Sequence, residues 1–460
     1  MRKMLALLLS AAPFLYLIAS PPLSGKSQPL VASSKFHTVA NPIPNRFIVV
    51  LATTDLTPIA SPAPTPLAAN PKTAQPASDS AFSADISSAT FVASPVPDDS
   101  GVVATASSLT ATYGGTFNIT WSAALKGFRL NATEAEAIAM SGDSRVAFIV
   151  QDGAIAVGSP DGDPIVMIPD PDVLDIPQPN ASWGLDRVDQ RYLPLNKTYW
   201  YQNTGLGVNA YVIDTGILPT HVEFDGRASA IYDAVDPQGN GIDCNGHGSH
   251  VAGTIGGQHF GVAKHVRLFG VRVLDCQGAG AWSDVIDGVN FVTWHHRQPA
   301  QQGIPALANM SLGGATNRAA EAAVRNSIRS GVTYVVAAGN ENSDASGYSP
   351  AAVVEAITVG ATDKNDSRAA FSNYGATLDL FAPGVGISSA WIGEGGLMTA
   401  AASGTSMAAP HVSGVVALFL QTNRTASPAV VRSTLVGSST VGLIRNPGEQ
   451  SPNRILFSNY

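Results

Sequence analysis

Five runs of almost uninterrupted apolar residues, 208–213, 266–273, 306–310, 333–338 and 356–359, recur through the second half of the chain, separated by helical segments and Gly-rich turns. A strand that is apolar on both sides has to be covered on both sides. The expected fold is therefore α/β, a doubly wound, mostly parallel sheet flanked by helices. In such sheets functional side chains gather at the carboxyl ends of strands and at the helix N-termini that face them.

Four polar residues fall at that edge. Asp214 ends the first strand in Tyr211-Val212-Ile213-Asp214-Thr215-Gly216, and Asn309 ends the third ahead of Ser311-Leu312-Gly313-Gly314. His247 opens a small-residue helix in Asp243-Cys244-Asn245-Gly246-His247-Gly248-Ser249-His250. Ser406 lies in Gly404-Thr405-Ser406-Met407-Ala408-Ala409-Pro410-His411, ahead of the apolar run 412–420. Alone, such a serine reads as an N-cap; with a base and a carboxylate at the same edge it reads as a nucleophile beside a helix dipole.

The first half is organised differently. Arg2 and Lys3 precede the uncharged segment 4–19, and Pro21-Pro22 follows, so residues 1–20 read as a secretory signal peptide rather than a membrane anchor. Eight prolines among Ala, Ser and Thr make 52–100 a flexible insertion. Strands at 47–51, 117–121, 146–150 and 154–157, the last two around a turn at Asp152-Gly153, and a helix at 132–141 compose a small α+β domain within 21–157. A linker, 158–180, precedes the main domain, 181–460. A net charge of −8 without any basic block argues against a nucleic-acid partner.

The three segments around Asp214, His247 and Ser406, in that order, resemble the Asp-Thr-Gly, His-Gly-x-His and Gly-Thr-Ser-Met-Ala-x-Pro segments of subtilisin-like serine peptidases. Trp183-Gly184-Leu185-Asp186-Arg187, Val271-Arg272-Val273-Leu274-Asp275-Cys276, Phe371-Ser372-Asn373-Tyr374-Gly375 and Ser451-Pro452-Asn453-Arg454 are similar to the proteinase K branch, and within it to aqualysin-type enzymes. The resemblance implies a secreted monomeric endopeptidase with a subtilisin-like fold, acting on polypeptides with an apolar or aromatic residue before the cut. Asp214, His247 and Ser406 would be its triad and Asn309 its oxyanion donor. The N-terminal domain would be a propeptide that inhibits the enzyme and is removed by self-cleavage between 157 and 182.

The same resemblance implies substrate-binding edges at Gly278-Ala279-Gly280 and Ser311-Leu312-Gly313, with Ala337-Ala338-Gly339 lining the first specificity pocket. It implies a Cys244–Cys276 disulfide, whose loop closure would stabilise by roughly 3–4 kcal/mol. It also implies calcium at Asp379 with the carbonyls of Val354 and Ala356, and at Asp186, Asp189 and Gln190. Zinc on Cys244, His247 and His250 stays open as an alternative use of those residues. Ala281-Trp282 departs from the family's small polar residues and is expected to alter the more distant subsites. Two rival functions are a narrow processing protease, which needs acidic pocket residues, and a catalytically silent binding scaffold.

Overall fold

A computed structural model describes residues 34–52, 99–166 and 176–460. The segment read as a signal peptide, nearly all of the stretch read as an insertion, and residues 167–175 of the expected linker lie outside the described residues.

The N-terminal unit contains β1 (Pro42–Leu51), α1 (Ser100–Tyr113), β2 (Thr116–Trp121), β3 (Gly127–Asn131), α2 (Glu134–Ser141) and β4 (Val146–Ala156). Its sheet runs β4-β1-β3-β2, with Phe36–His37 added outside β4. Phe47, Val49, Leu109, Phe128 and Met140 are buried between the sheet and the two helices. Helix α2 starts on a capping box: Thr133 accepts from Glu136 N–H, and Glu136 accepts from Thr133 N–H.

Two expectations fail here. Helix α1 begins at the end of the stretch read as an insertion, where its Ser- and Thr-rich sequence and uncapped Asp99 give little periodic signal. The turn at Asp152-Gly153 does not exist, because β4 continues straight through it. The Asp152 carboxylate is buried and accepts from Arg46 Nε (2.6 Å) and Ser283 N–H (3.1 Å), so tertiary partners overrode its turn preference.

Beyond it come β5 (Ile165–Val166), α3 (Trp183–Val188), β6 (Asn209–Asp214), β7 (Ala228–Asp233), α4 (His247–Gly256), β8 (Arg267–Arg272), β9 (Ala279–Ala281) and α5 (Trp282–His296). They are followed by β10 (Ala306–Met310), α6 (Arg318–Arg329), β11 (Thr333–Ala337), β12 (Ile357–Thr362), β13 (Leu380–Pro383), β14 (Ile387–Trp391) and β15 (Met398–Ala402). Helices α7 (Thr405–Thr422) and α8 (Pro428–Ser438) and strands β16 (Thr440–Val441) and β17 (Arg454–Ile455) complete the chain.

The main sheet has the order β7-β8-β6-β10-β11-β12-β13-β17-β16 and is parallel except for the last pair. Every residue of β6, β10, β11 and β12 is buried, as the apolar runs predict. Helices α4 and α7 cover one face and α5 and α6 the other. The chain runs from β6 to β8 on one side and then to β10 on the other. This switch point puts the ends of β6, α4 and α7 next to one another.

Candidate active site

Asp214 closes β6 and is fully buried. Its Oδ1 accepts from His247 Nδ1 (2.7 Å) and from Thr215 N–H (2.8 Å), while its Oδ2 is buried without a partner. His247 is the first residue of α4. Burial opposes charge on that imidazole, but the carboxylates of Asp214 and, further off, Asp243 outweigh it and raise its pKa. Asp243 also organises the start of α4: its carboxylate accepts from Asn245, Gly246 and Ser249 N–H and from the hydroxyls of Thr215 and Ser249.

Ser406 lies in the first turn of α7 behind Gly404. Its hydroxyl donates to the main-chain oxygen of Ser311 (3.0 Å), not to His247, and the Ser311 hydroxyl donates back to the Ser406 carbonyl (2.7 Å). Such long or diverted contacts are common before a substrate is engaged.

The asparagine expected beside Ser406 is engaged elsewhere. Asn309 is fully buried, its Nδ2 donates to Ser311 Oγ (2.9 Å), and its Oδ1 accepts from Ser413 Oγ on α7 (2.7 Å). Both ends of that amide tie β10 to its surroundings, and the side chain is closed off from solvent. Asn340, three residues beyond β11, takes the position instead. Its Oδ1 accepts from Thr405 N–H (2.9 Å) and Thr405 Oγ1 (3.0 Å). A Cβ placed on Gly404 would lie 3.5 Å from both Asn340 Nδ2 and Ser406 N, so these two donors flank one small space that only glycine leaves open. The signal in the sequence was Ala337-Ala338-Gly339-Asn340, a buried strand ending in glycine and an amide.

Residues 311–314, 337–341, 348, 349 and 351 line a pocket beside Ser406. Glu341 belongs to it, with its carboxylate accepting from Asn373 Nδ2 (2.7 Å), so the pocket does hold one acidic group. Ala156, Val157 and Gly158 line it as well. Just upstream, the end of β4 pairs antiparallel with β9, as Ala156↔Ala279, Ile155↔Gly280 and Ala154↔Ala281, and Val157 N–H donates to the Gly278 carbonyl (2.9 Å). Trp282, fully buried, packs with Ile155, Leu274 and Leu312. The N-terminal unit also contacts α5 through Arg129–Asp284 (2.8 Å), Trp121 Nε1 to Asp287 (3.1 Å) and Asn290 Oδ1, which accepts from Ala123 and Ala124 N–H.

Cys244 and Cys276 are joined by a disulfide across a separation of 32 residues. With that thiol consumed and His250 Nε2 bonded to the Ile387 carbonyl (2.9 Å), Cys244, His247 and His250 do not form a zinc site. The two calcium groups differ. Asp379 already meets Arg432 (2.7 Å) through Oδ1 and Thr358 N–H (3.0 Å) through Oδ2, so a cation there would compete with the guanidinium. Asp189 fits better: its Oδ2 accepts from Trp200 N–H (2.7 Å), whereas its Oδ1 is buried and unpartnered. Burial and the nearby Asp186 carboxylate push its pKa up to about 6, the mark of a carboxylate short of positive charge. Asp186 is itself raised by burial, against the pull of the Asn196 and Lys197 N–H groups. The Gln190 amide turns to the Tyr192 and Pro194 carbonyls through Nε2 (2.7 and 3.1 Å).

A profile described as the subtilase family matches residues 205–456. An "Extracellular serine proteinase" of Thermus sp. (strain Rt41A) is 50% identical over 343 residues, covering 74% of this chain and 77% of the relative. "Alkaline serine exoprotease A" of Vibrio alginolyticus is 47% identical over 334 residues, 73% of this chain and 59% of the relative. A solved structure titled "Crystal structure of a cold adapted subtilisin-like serine proteinase" matches with a TM-score of 0.58 at 48% identity, over 61% of this chain and 99% of that one. With the sheet, the helix-borne serine and the paired Asp214 and His247 already placed, the chain belongs to the subtilase family of serine peptidases.

Proposed function

We propose that the protein is an extracellular serine endopeptidase made as a precursor, with Ser406 as nucleophile, His247 as general base and acid, and Asp214 as the group that orients the imidazole. The observation that carries this is the 2.7 Å contact of His247 Nδ1 with Asp214, at the same edge as a serine whose N–H and the Asn340 amide flank one open space. His247 Nε2 takes the Ser406 proton as Oγ bonds to the substrate carbonyl carbon. The oxygen, now negative, sits between Ser406 N–H and Asn340 Nδ2. His247 then gives its proton to the leaving nitrogen as the C–N bond breaks, and water repeats both steps on the acyl-enzyme.

Substrate would enter as a strand between residues 278–280 and 311–313, the place where the end of β4 pairs with β9. We read the N-terminal unit accordingly as a tethered inhibitor whose chain lies across Ser406, with first cleavage close to Val157-Gly158. Ala337, Ala338 and Gly339 leave room for a large apolar side chain. A lone Glu341, held by Asn373, does not make the double acidic pocket of a processing protease. Calcium is assigned to Asp186 and Asp189, with Gln190 beside them, where it would neutralise the crowded carboxylates and hold the loop after α3. Covalent labelling by a fluorophosphonate, abolished in Ser406→Ala, tests the enzyme reading; mature protein that takes no label would refute it.

A further inference from the structure

Past Gly158, the last of its residues to line the pocket, the N-terminal unit's chain stays close to the segment that leads into Ser406. Asp161 N–H donates to the Ala401 carbonyl (2.8 Å), and the Asp161 carboxylate accepts from Ser403 Oγ (2.6 Å). Then β5 pairs antiparallel with β15, Ile165 with Thr399 and Val166 with Met398. The other edge of β15 is taken by β14, so β5 closes what would otherwise be an open strand edge. Ser403 stands three residues before Ser406. Residues 154–166 therefore run over the nucleophile with β9 on the upstream side and β15 on the downstream side.

We propose that the outer edge of β15 is a docking strand for the leaving-group side of polypeptide substrates, and that residues 161–166 are its first occupant. The inference rests on the serine-peptidase reading. The recognition is by main chain: Ile165 and Val166 pair with β15 while their side chains stay largely exposed. An edge of this kind selects for length and extension rather than sequence. It reaches about eight residues past Gly158, so unfolded chains are favoured over short peptides. It also implies that, after the bond near Gly158 is cut, the new N-terminal segment remains on β15 until a second cut removes it.

The test uses mature enzyme lacking residues 1–166 and two fluorogenic peptides, identical before the scissile bond, with two or eight residues after it. Two or more added ladder hydrogen bonds of ordinary net strength predict about tenfold or more in kcat/KM for the longer peptide. Backbone N-methylation in its distal half, which removes N–H donors without changing side chains, should return kcat/KM to that of the short peptide. Equal values for the two peptides, or no effect of N-methylation, would overturn the docking strand alone. Hydrolysis of neither would overturn the peptidase reading and this inference with it.

Discussion

Replacing Asn340 by alanine separates two explanations of the site that the sequence alone confuses. Asn340→Ala removes the side-chain donor beside Ser406 N and, on the other end of the amide, two hydrogen bonds to Thr405 of 2.9 and 3.0 Å. The donor loss acts only where negative charge develops. Its scale is taken from the equivalent change in subtilisin, about 100- to 1,000-fold in kcat with KM nearly constant. Losing the Thr405 contacts costs about 1–3 kcal/mol of stability at ordinary net strength. Asn309→Ala should do the reverse. It strands the buried hydroxyl of Ser413, takes a donor away from the Ser311 oxygen and opens a small cavity under α7, a cost of about 2–5 kcal/mol, while kcat per folded molecule stays within a few-fold. The assay is kcat on a chromogenic peptide, normalised by active-site titration with a fluorophosphonate, beside a denaturant melt of each variant. A loss of two orders of magnitude in kcat per titrated site in Asn309→Ala, with kcat kept in Asn340→Ala, would refute the assignment of Asn340.

Two further outcomes follow from the electrostatics. Because the net effect of Asp214 and Asp243 is to raise the His247 pKa, neutral imidazole is lost on acidification earlier than for an ordinary histidine, and the acid limb of kcat/KM should lie above 6.5; Asp214→Asn should cost about 10⁴-fold in kcat. Asp189 binds its proton more tightly folded than unfolded, so metal-free stability should fall as pH rises from about 4 towards 6. Added calcium should raise Tm more at pH 8 than at pH 5, and Asp189→Asn should shrink that difference.

The apolar runs of β6, β10, β11 and β12 were legible because burial on both faces leaves no alternation to obscure them. The segments of Asp214, His247 and Ser406 were legible because helix starts and strand ends carry small residues in fixed order. Which asparagine stands beside Ser406 N was not. Asn309 and Asn340 both follow buried parallel strands, but Asn309 lies within β10, where the pleat turns it under α7, whereas Asn340 lies past β11, where the loop brings it back to Thr405. Local pattern can place a residue near a strand end but not choose the side to which its amide points.

The N-terminal unit shows the same division. The capping box of α2 is local chemistry and could be read from Thr133 and Glu136. Asp152-Gly153 has turn chemistry too, yet Arg46 and Ser283, distant in sequence, hold the carboxylate in an unbroken strand. The sequence by itself determined the sheet, the helix-borne serine and the family, because these rest on periodicity and contiguous motifs. Only the tertiary structure decided which amide stands beside Ser406 N, the Arg432 that meets Asp379, and the path of residues 154–166 between β9 and β15. Each of those depends on contacts between segments far apart in the chain, whose geometry no local pattern encodes.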